Sequence, residues 1–119
     1  MKVQELYEKL QGDYNEACKR LINEKMVANF VLKFPADPSM KLLRDSVAAG
    51  DIETSFRAVH TLKSLAGVLS LTKLYKAAWD LTEQLRPRLS QADPVLLKLV
   101  EEEYTKSIEA IEEFAGNQE

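Results

Sequence analysis

Apolar residues recur at three- and four-residue spacing along nearly the whole chain, and no segment shows a convincing two-residue alternation. This periodicity constrains the fold more than any other feature. A helix brings residues three and four apart onto one face, whereas a half-buried strand needs every second position apolar. The chain therefore reads as all-α. Only four glycines and four prolines occur in 119 residues, and alanine, leucine, glutamate and lysine dominate, a composition that favours helices.

The breaks in the rhythm divide the chain. A short first helix is expected over about residues 3 to 10, with Val3, Leu6, Tyr7 and Leu10 on one side and Gly12 ending it. Asp13, followed three residues later by Glu16, forms the pattern of a capping box that opens a second helix. That helix is expected to run unbroken through Leu21, Ile22, Met26, Val27, Phe30, Val31 and Phe34 until Pro35 stops it. Asp37 is placed to cap a third helix with Pro38 at its first position, carrying Met40, Leu43 and Val47 and ended by Gly50. Asp51 caps a fourth helix to about residue 69, and a fifth runs from near Leu71 to Arg86, before Pro87. Asp93-Pro94 repeats the cap-plus-proline device and opens a last helix to about Phe114. Helices of this length on short turns pack antiparallel. The expectation is one domain over residues 1–119, an antiparallel up-and-down four-helix bundle with a short additional N-terminal helix.

Charge and composition remove several classes of function. Sixteen basic and nineteen acidic residues give a formal charge of −3, and no basic run tracks a phosphate backbone, so no nucleic acid is expected as a partner. No apolar stretch approaches the roughly 18 to 20 residues of a membrane span, and MKVQELYEKL is not a signal peptide, so a free-standing cytoplasmic protein is expected. One cysteine, Cys18, and one histidine, His60, supply too few ligands or nucleophiles for a metal enzyme or a hydrolase, and no metal site is expected. Cys18 reads as a half-buried helix residue, and Glu101-Glu102-Glu103 as a solvated helix face. No glycine-rich phosphate loop is present.

The fourth helix carries the one histidine. At about 100° per residue, Ile52, Val59, Leu62, Ala66 and Leu69 fall on a broad core stripe, and His60 lies roughly 130° from its middle. The imidazole should stand at the edge of the buried face, open to water. Its neighbours one or two turns away are Phe56, Arg57, Lys63, Ser64 and Gly67. An ordinary imidazole titrates near ~6.5, so a neutral nucleophile is available at cytoplasmic pH. Lys63 places a mobile cation where a phosphoryl oxygen would arrive. Ser64 and Gly67 are small enough to let another surface approach, and Phe56 would support one side of the ring. Leu65 is a candidate apolar contact, Arg57 a candidate steering charge, and Trp79 reads as packing.

Ala58-Val59-His60-Thr61-Leu62-Lys63-Ser64-Leu65-Ala66-Gly67 resembles the signature of histidine-containing phosphotransfer (HPt) domains: His, any residue, an aliphatic, Lys and usually Gly, within a helix of a four-helix bundle. Ala49-Gly50-Asp51 looks like that family's turn before the histidine helix, Leu71 to Arg86 like its hairpin partner, and Phe30 and Phe34 fit the preceding helix. The resemblance covers about residues 3 to 114. It implies that His60 is a phosphoacceptor, reacting through Nε2, and that Lys63 stabilises the phosphoryl group. It further implies a phosphorelay role, with Phe56, Arg57, Ser64, Gly67 and Thr82 meeting a partner. That partner would be a response-regulator receiver domain or a hybrid histidine kinase. Such a protein is a carrier rather than an enzyme; it binds no cofactor, the receiver supplies Mg²⁺, and a monomer is the default. Three positions depart from the family's pattern. Ser64 and Ser70 stand where glycines are usual, and Thr82 stands where many members carry a glutamine or glutamate that hydrogen-bonds the imidazole. The Ser64 hydroxyl is a possible donor to the phosphoryl group. Two alternatives stay open: a degenerate module that binds a receiver or kinase without being phosphorylated, and a helical adaptor with an accidental likeness.

Overall fold

Carboxylate caps and glycine turns punctuate the chain where the apolar rhythm pauses. The computed structural model describes residues 1–117; the last two positions of the expected 1–119 domain lie outside the described residues. Helix α1 spans Val3–Leu10, α2 Tyr14–Arg20, α3 Glu24–Lys33, α4 Ser39–Ala48, α5 Ile52–Val68, α6 Thr72–Leu85 and α7 Pro94–Gly116, with a 3₁₀ turn at Phe34–Ala36. No strand occurs among the described residues. Three helices begin on an acidic cap: Asp13 accepts the Glu16 N–H at 2.9 Å, Asp51 that of Thr54 at 3.0 Å, and Asp93 that of Val95 at 2.8 Å. Each such cap is worth about 1 kcal/mol. At the cap expected for the third helix, Asp37 accepts the Ser39 N–H at 2.9 Å, while Pro38 lies one residue outside α4.

One expected helix is two. The second does not run unbroken from Asp13 to Phe34; it stops after Arg20 and restarts at Glu24. Asn23 causes the restart by accepting the Met26 N–H at 2.9 Å, and Ile22 takes a left-handed φ of 81° with its side chain in solvent. A β-branched residue rarely adopts that backbone. Periodicity alone hid the break, because Leu21 and Ile22 continue the apolar spacing across it. Only half of the expected capping box forms: Asp13 caps α2, but the Glu16 carboxylate turns to Arg20 and Ser70.

The bundle proper is α4 to α7, each packed on the next, with α1 and α3 laid against α7. Three-residue turns at 49–51 and 69–71 force reversal, so α4, α5 and α6 run antiparallel. At the first turn Gly50 takes φ 73°, its N–H bonds the Val47 carbonyl at 3.1 Å and the Asp51 N–H bonds Ser46 at 2.9 Å. Glycine meets that left-handed turn without a Cβ clash and starts α5 directly on its cap. The core joins Leu43 of α4, Val59, Leu62 and Ala66 of α5, Leu74, Ala78, Leu81 and Leu85 of α6, and Val100, Ile111 and Phe114 of α7. The expected α5 stripe is thus the core face, with Ile52 at its partly buried end. Glu101 is not merely solvated: both its oxygens receive Arg44 of α4 at 2.7 Å. No helix among the described residues is long and apolar enough to cross a membrane.

The N-terminal helices close the C-terminal end of α5. Ser70, where a glycine is usual in the resembled pattern, takes φ 53°, and its hydroxyl donates to Glu16 at 2.8 Å and accepts from Arg20 at 2.9 Å. Arg20 also reaches the Gly67 carbonyl, the Asp13 N–H bonds the Ser70 carbonyl at 3.0 Å, and the Tyr7 hydroxyl bonds the Leu69 carbonyl at 2.6 Å. Gly12 makes the approach possible, since a Cβ there would lie 2.8 Å from the Ser70 oxygen. The helix-end carbonyls that a helix cannot satisfy by itself are met from α1 and α2. Tyr7→Phe is therefore expected to destabilise by about 1–3 kcal/mol, because it strands a buried carbonyl. A urea titration reads the loss as a lower midpoint at unchanged slope, and an unmoved midpoint would show that water replaces the hydroxyl.

Candidate functional site

Helix α5 presents two faces, and the histidine lies on the outer one. Val59 and Leu62 are sealed in the core, whereas His60 between them in sequence is exposed. Phe56, one turn before, is largely buried, and its ring lies 5.8 Å from the imidazole centroid at 40°. It supports the ring from below, as the sequence suggests. It is not open to a partner, because Arg88 and Arg86 cover it, their guanidinium carbons 3.5 and 5.4 Å from its centroid. Arg88 also donates to Glu53 at 2.9 Å and to the Arg86 carbonyl at 2.7 Å, which holds its left-handed backbone (φ 56°) in place. Arg57 is exposed and shares Glu53 with Arg88. Hydrogen bonds from Arg88 and then Arg57 hold the Glu53 carboxyl below the usual carboxylate range. Glu53 is thus committed to arginines and is a poor base for activating water beside His60.

Lys63 lies one turn after His60 on the same side of α5. Its ammonium has no carboxylate partner among the described residues and rests over the Trp79 ring, 5.0 Å from the centroid. Trp79 is 42% exposed, so it is a surface aromatic with one occupied face rather than a core packer. A cation–π contact at an exposed site contributes about 0.5–1 kcal/mol, against about 1.5–3 kcal/mol for a hydrogen bond to a charged group. An anion arriving at His60 therefore outcompetes the indole for this ammonium.

The remaining expected site residues divide. Ser64 is exposed and leaves room beside His60, but its hydroxyl donates to the His60 carbonyl at 3.0 Å and is not free for a ligand. Gly67 is half-buried, and the surface it opens is taken by the chain itself: a Cβ there would meet the Tyr75 ring at 3.0 Å. Thr82 is a correction. It is fully buried, its hydroxyl donates to the Ala78 carbonyl at 2.6 Å, and it neither touches the imidazole nor lies open to a partner. Its hydroxyl is spent on its own helix. The imidazole consequently makes no hydrogen bond among the described residues. Leu65, half-buried, lines a shallow apolar groove of about 300 Å³ with Phe30, Phe34 and Val68 on the flank of α5 away from Trp79. Cys18 is half-buried on α2, and no cluster of three metal-ligating side chains occurs among the described residues.

Sequence reasoning missed the partners contributed from α6 and the loop after it: Trp79 under Lys63, Tyr75 against Gly67, and Arg86 and Arg88 over Phe56. The short 69–71 turn implies that α6 runs back along α5, which is the one signal that pairs these residues. It does not supply the register.

Comparison with curated proteins and with solved structures gives no match. The family model for the Hpt domain matches residues 25–114. That span takes in the bundle from α3 to α7 and leaves α1 and α2 outside, so the match is shorter than the resemblance read over residues 3 to 114. An exposed histidine on the central hairpin of an all-α bundle, with a lysine one turn on and this match over well over half of the sequence, places the chain in the Hpt domain family, the phosphotransfer modules of two-component signalling.

Proposed function

We propose that this protein is a phosphorelay carrier: His60 accepts a phosphoryl group from an aspartyl phosphate on a receiver domain, or from a kinase, and passes it on. The observation that carries the reading is the exposed imidazole of His60 with an ammonium, Lys63, one turn away and unpaired with any acid among the described residues. The unprotonated ring nitrogen attacks phosphorus in line, forming the N–P bond as the P–O bond of the aspartyl phosphate breaks. The aspartate carboxylate leaves with the electron pair, and the second ring nitrogen keeps its proton. Lys63 meets the charge spread over the transferring oxygens. Mg²⁺ belongs to the receiver in this reading. The face around His60, with Arg57 and Ser64 exposed and the Leu65 groove beside it, supplies a contact small enough to be transient. A monomer keeps that face free.

One observation favours a second reading, a module that binds its partner without being phosphorylated: no side chain of α6 orients the imidazole, since Thr82 is turned inward. Incubation with phosphorylated receiver domains separates the two. The carrier acquires an acid-labile, base-stable phosphate in one-to-one yield, while a binding module forms a complex and stays unlabelled across every receiver of its source organism.

A further inference from the structure

Lys63 and Gly67 sit one turn apart on α5, and Tyr75 and Trp79 sit one turn apart on α6. Across the hairpin they pair rung by rung. The Tyr75 ring fills the space over Gly67, the Trp79 ring leans on Tyr75 at 6.0 Å between centroids, and the Lys63 ammonium rests on Trp79 at 5.0 Å. The indole is therefore braced from α5 itself and does not hang loose in solvent. Asp80, next to Trp79 in sequence, is held by Lys76 at 2.7 and 3.0 Å.

The choice of an aromatic face over a carboxylate has chemical consequences. A carboxylate would neutralise the ammonium, pin it by hydrogen bonds and add a negative charge beside the incoming phosphoryl group. An indole face attracts the cation through its quadrupole, accepts no strong hydrogen bond and leaves the full charge in place. The long lysine stem, otherwise spread over many rotamers, is gathered one turn from His60 and released to a stronger acceptor.

We propose that Trp79 is a positioning residue: it seats the Lys63 ammonium beside His60 in the unphosphorylated protein, and phosphorylation of His60 draws that ammonium off the indole onto the phosphoryl oxygens. This rests on the reading of His60 as the phosphoacceptor. The exchange moves one ammonium from the Trp79 ring on α6 to the group carried by His60, one turn away on α5.

The chain's one tryptophan and one histidine make the exchange directly readable. The intact protein is phosphorylated with phosphoramidate, whose P–N bond breaks as the His60 N–P bond forms and whose nitrogen leaves as ammonia. Before phosphorylation the Lys63 ε-methylene protons should show an upfield ring-current shift. That shift should collapse, and Trp79 emission should change, in step with the phosphohistidine signal in phosphorus NMR. In Lys63→Met the emission should stay still while phosphohistidine forms. Trp79→Leu should abolish the ring-current shift at once and slow phosphorylation by about 2- to 5-fold, and Trp79→Phe should recover part of the rate through its weaker face. If phosphohistidine forms while the Lys63 resonances do not move, the exchange is overturned and the reading of His60 stands. A wild-type rate in Trp79→Leu overturns the positioning role. If His60 stays unmodified by any donor, the reading of the site falls and the exchange falls with it.

Discussion

His60→Gln is expected to abolish phosphoryl acceptance completely while leaving stability within about 0.5 kcal/mol of the parent, as is usual for surface substitutions. The two halves have separate physical grounds. Glutamine offers an amide whose nitrogen lone pair is delocalised, so no nucleophile remains at the one position where the sequence has a histidine. The imidazole is exposed and makes no hydrogen bond among the described residues, so its removal strands no buried group. Phosphate incorporation after incubation with a labelled receiver domain reads the first half, and urea unfolding reads the second. Label retained on the glutamine variant would locate the acceptor elsewhere and remove the proposed function.

Leu62→Ala is expected to have the opposite profile. Leu62 is two residues from His60 but fully buried, on the helix that packs between α4 and α6. Truncation removes three buried carbons and leaves a cavity that the packed helices refill only in part. Such changes cost about 2–5 kcal/mol, a large share of the about 5–15 kcal/mol that holds a domain of this size together. The melting temperature should fall by roughly 10–20 °C, given that 1 kcal/mol moves a small domain by several degrees. Below the new transition His60 should still accept phosphate, because the outer face of α5 is unchanged. Calorimetry with a phosphorylation assay at 10 °C checks both parts. A melting temperature within two degrees of the parent would mean that the core collapses around the gap.

Much of this was legible beforehand, for local reasons. Helix caps are short-range: Asp13, Asp51 and Asp93 each bond an amide two or three residues away, so their positions mark helix starts in the sequence itself. The core stripe of α5 and the exposure of His60 follow from 3.6 residues per turn within a single helix. Where a local device opposed the apolar spacing, periodicity misled. Asn23 restarts a helix inside what reads as one continuous stripe.

The residues that shape the site from outside α5 were a different matter. Thr82 reads as an approximate stand-in for a longer polar residue, yet it is fully buried with its hydroxyl on the Ala78 carbonyl, and the imidazole is left without a hydrogen bond among the described residues. Ser70 reads only as a departure from the glycine usual at that position. In the structure its left-handed backbone is held by Glu16 and Arg20, fifty-four and fifty positions earlier in the chain, on α2, which lies outside the family match.

The amino-acid sequence alone determined the helical class, the capped starts of α2, α5 and α7, the family signature and which face of α5 carries His60, because each depends on interactions within a turn or two of one helix. The tertiary structure alone decided that Lys63 rests on Trp79, that Arg88 covers Phe56, that Tyr75 occupies the space over Gly67 and that Thr82 is out of reach. Those outcomes depend on the register between α5 and its neighbours. Register is set by how whole side-chain surfaces interlock across helices, and no local pattern encodes it.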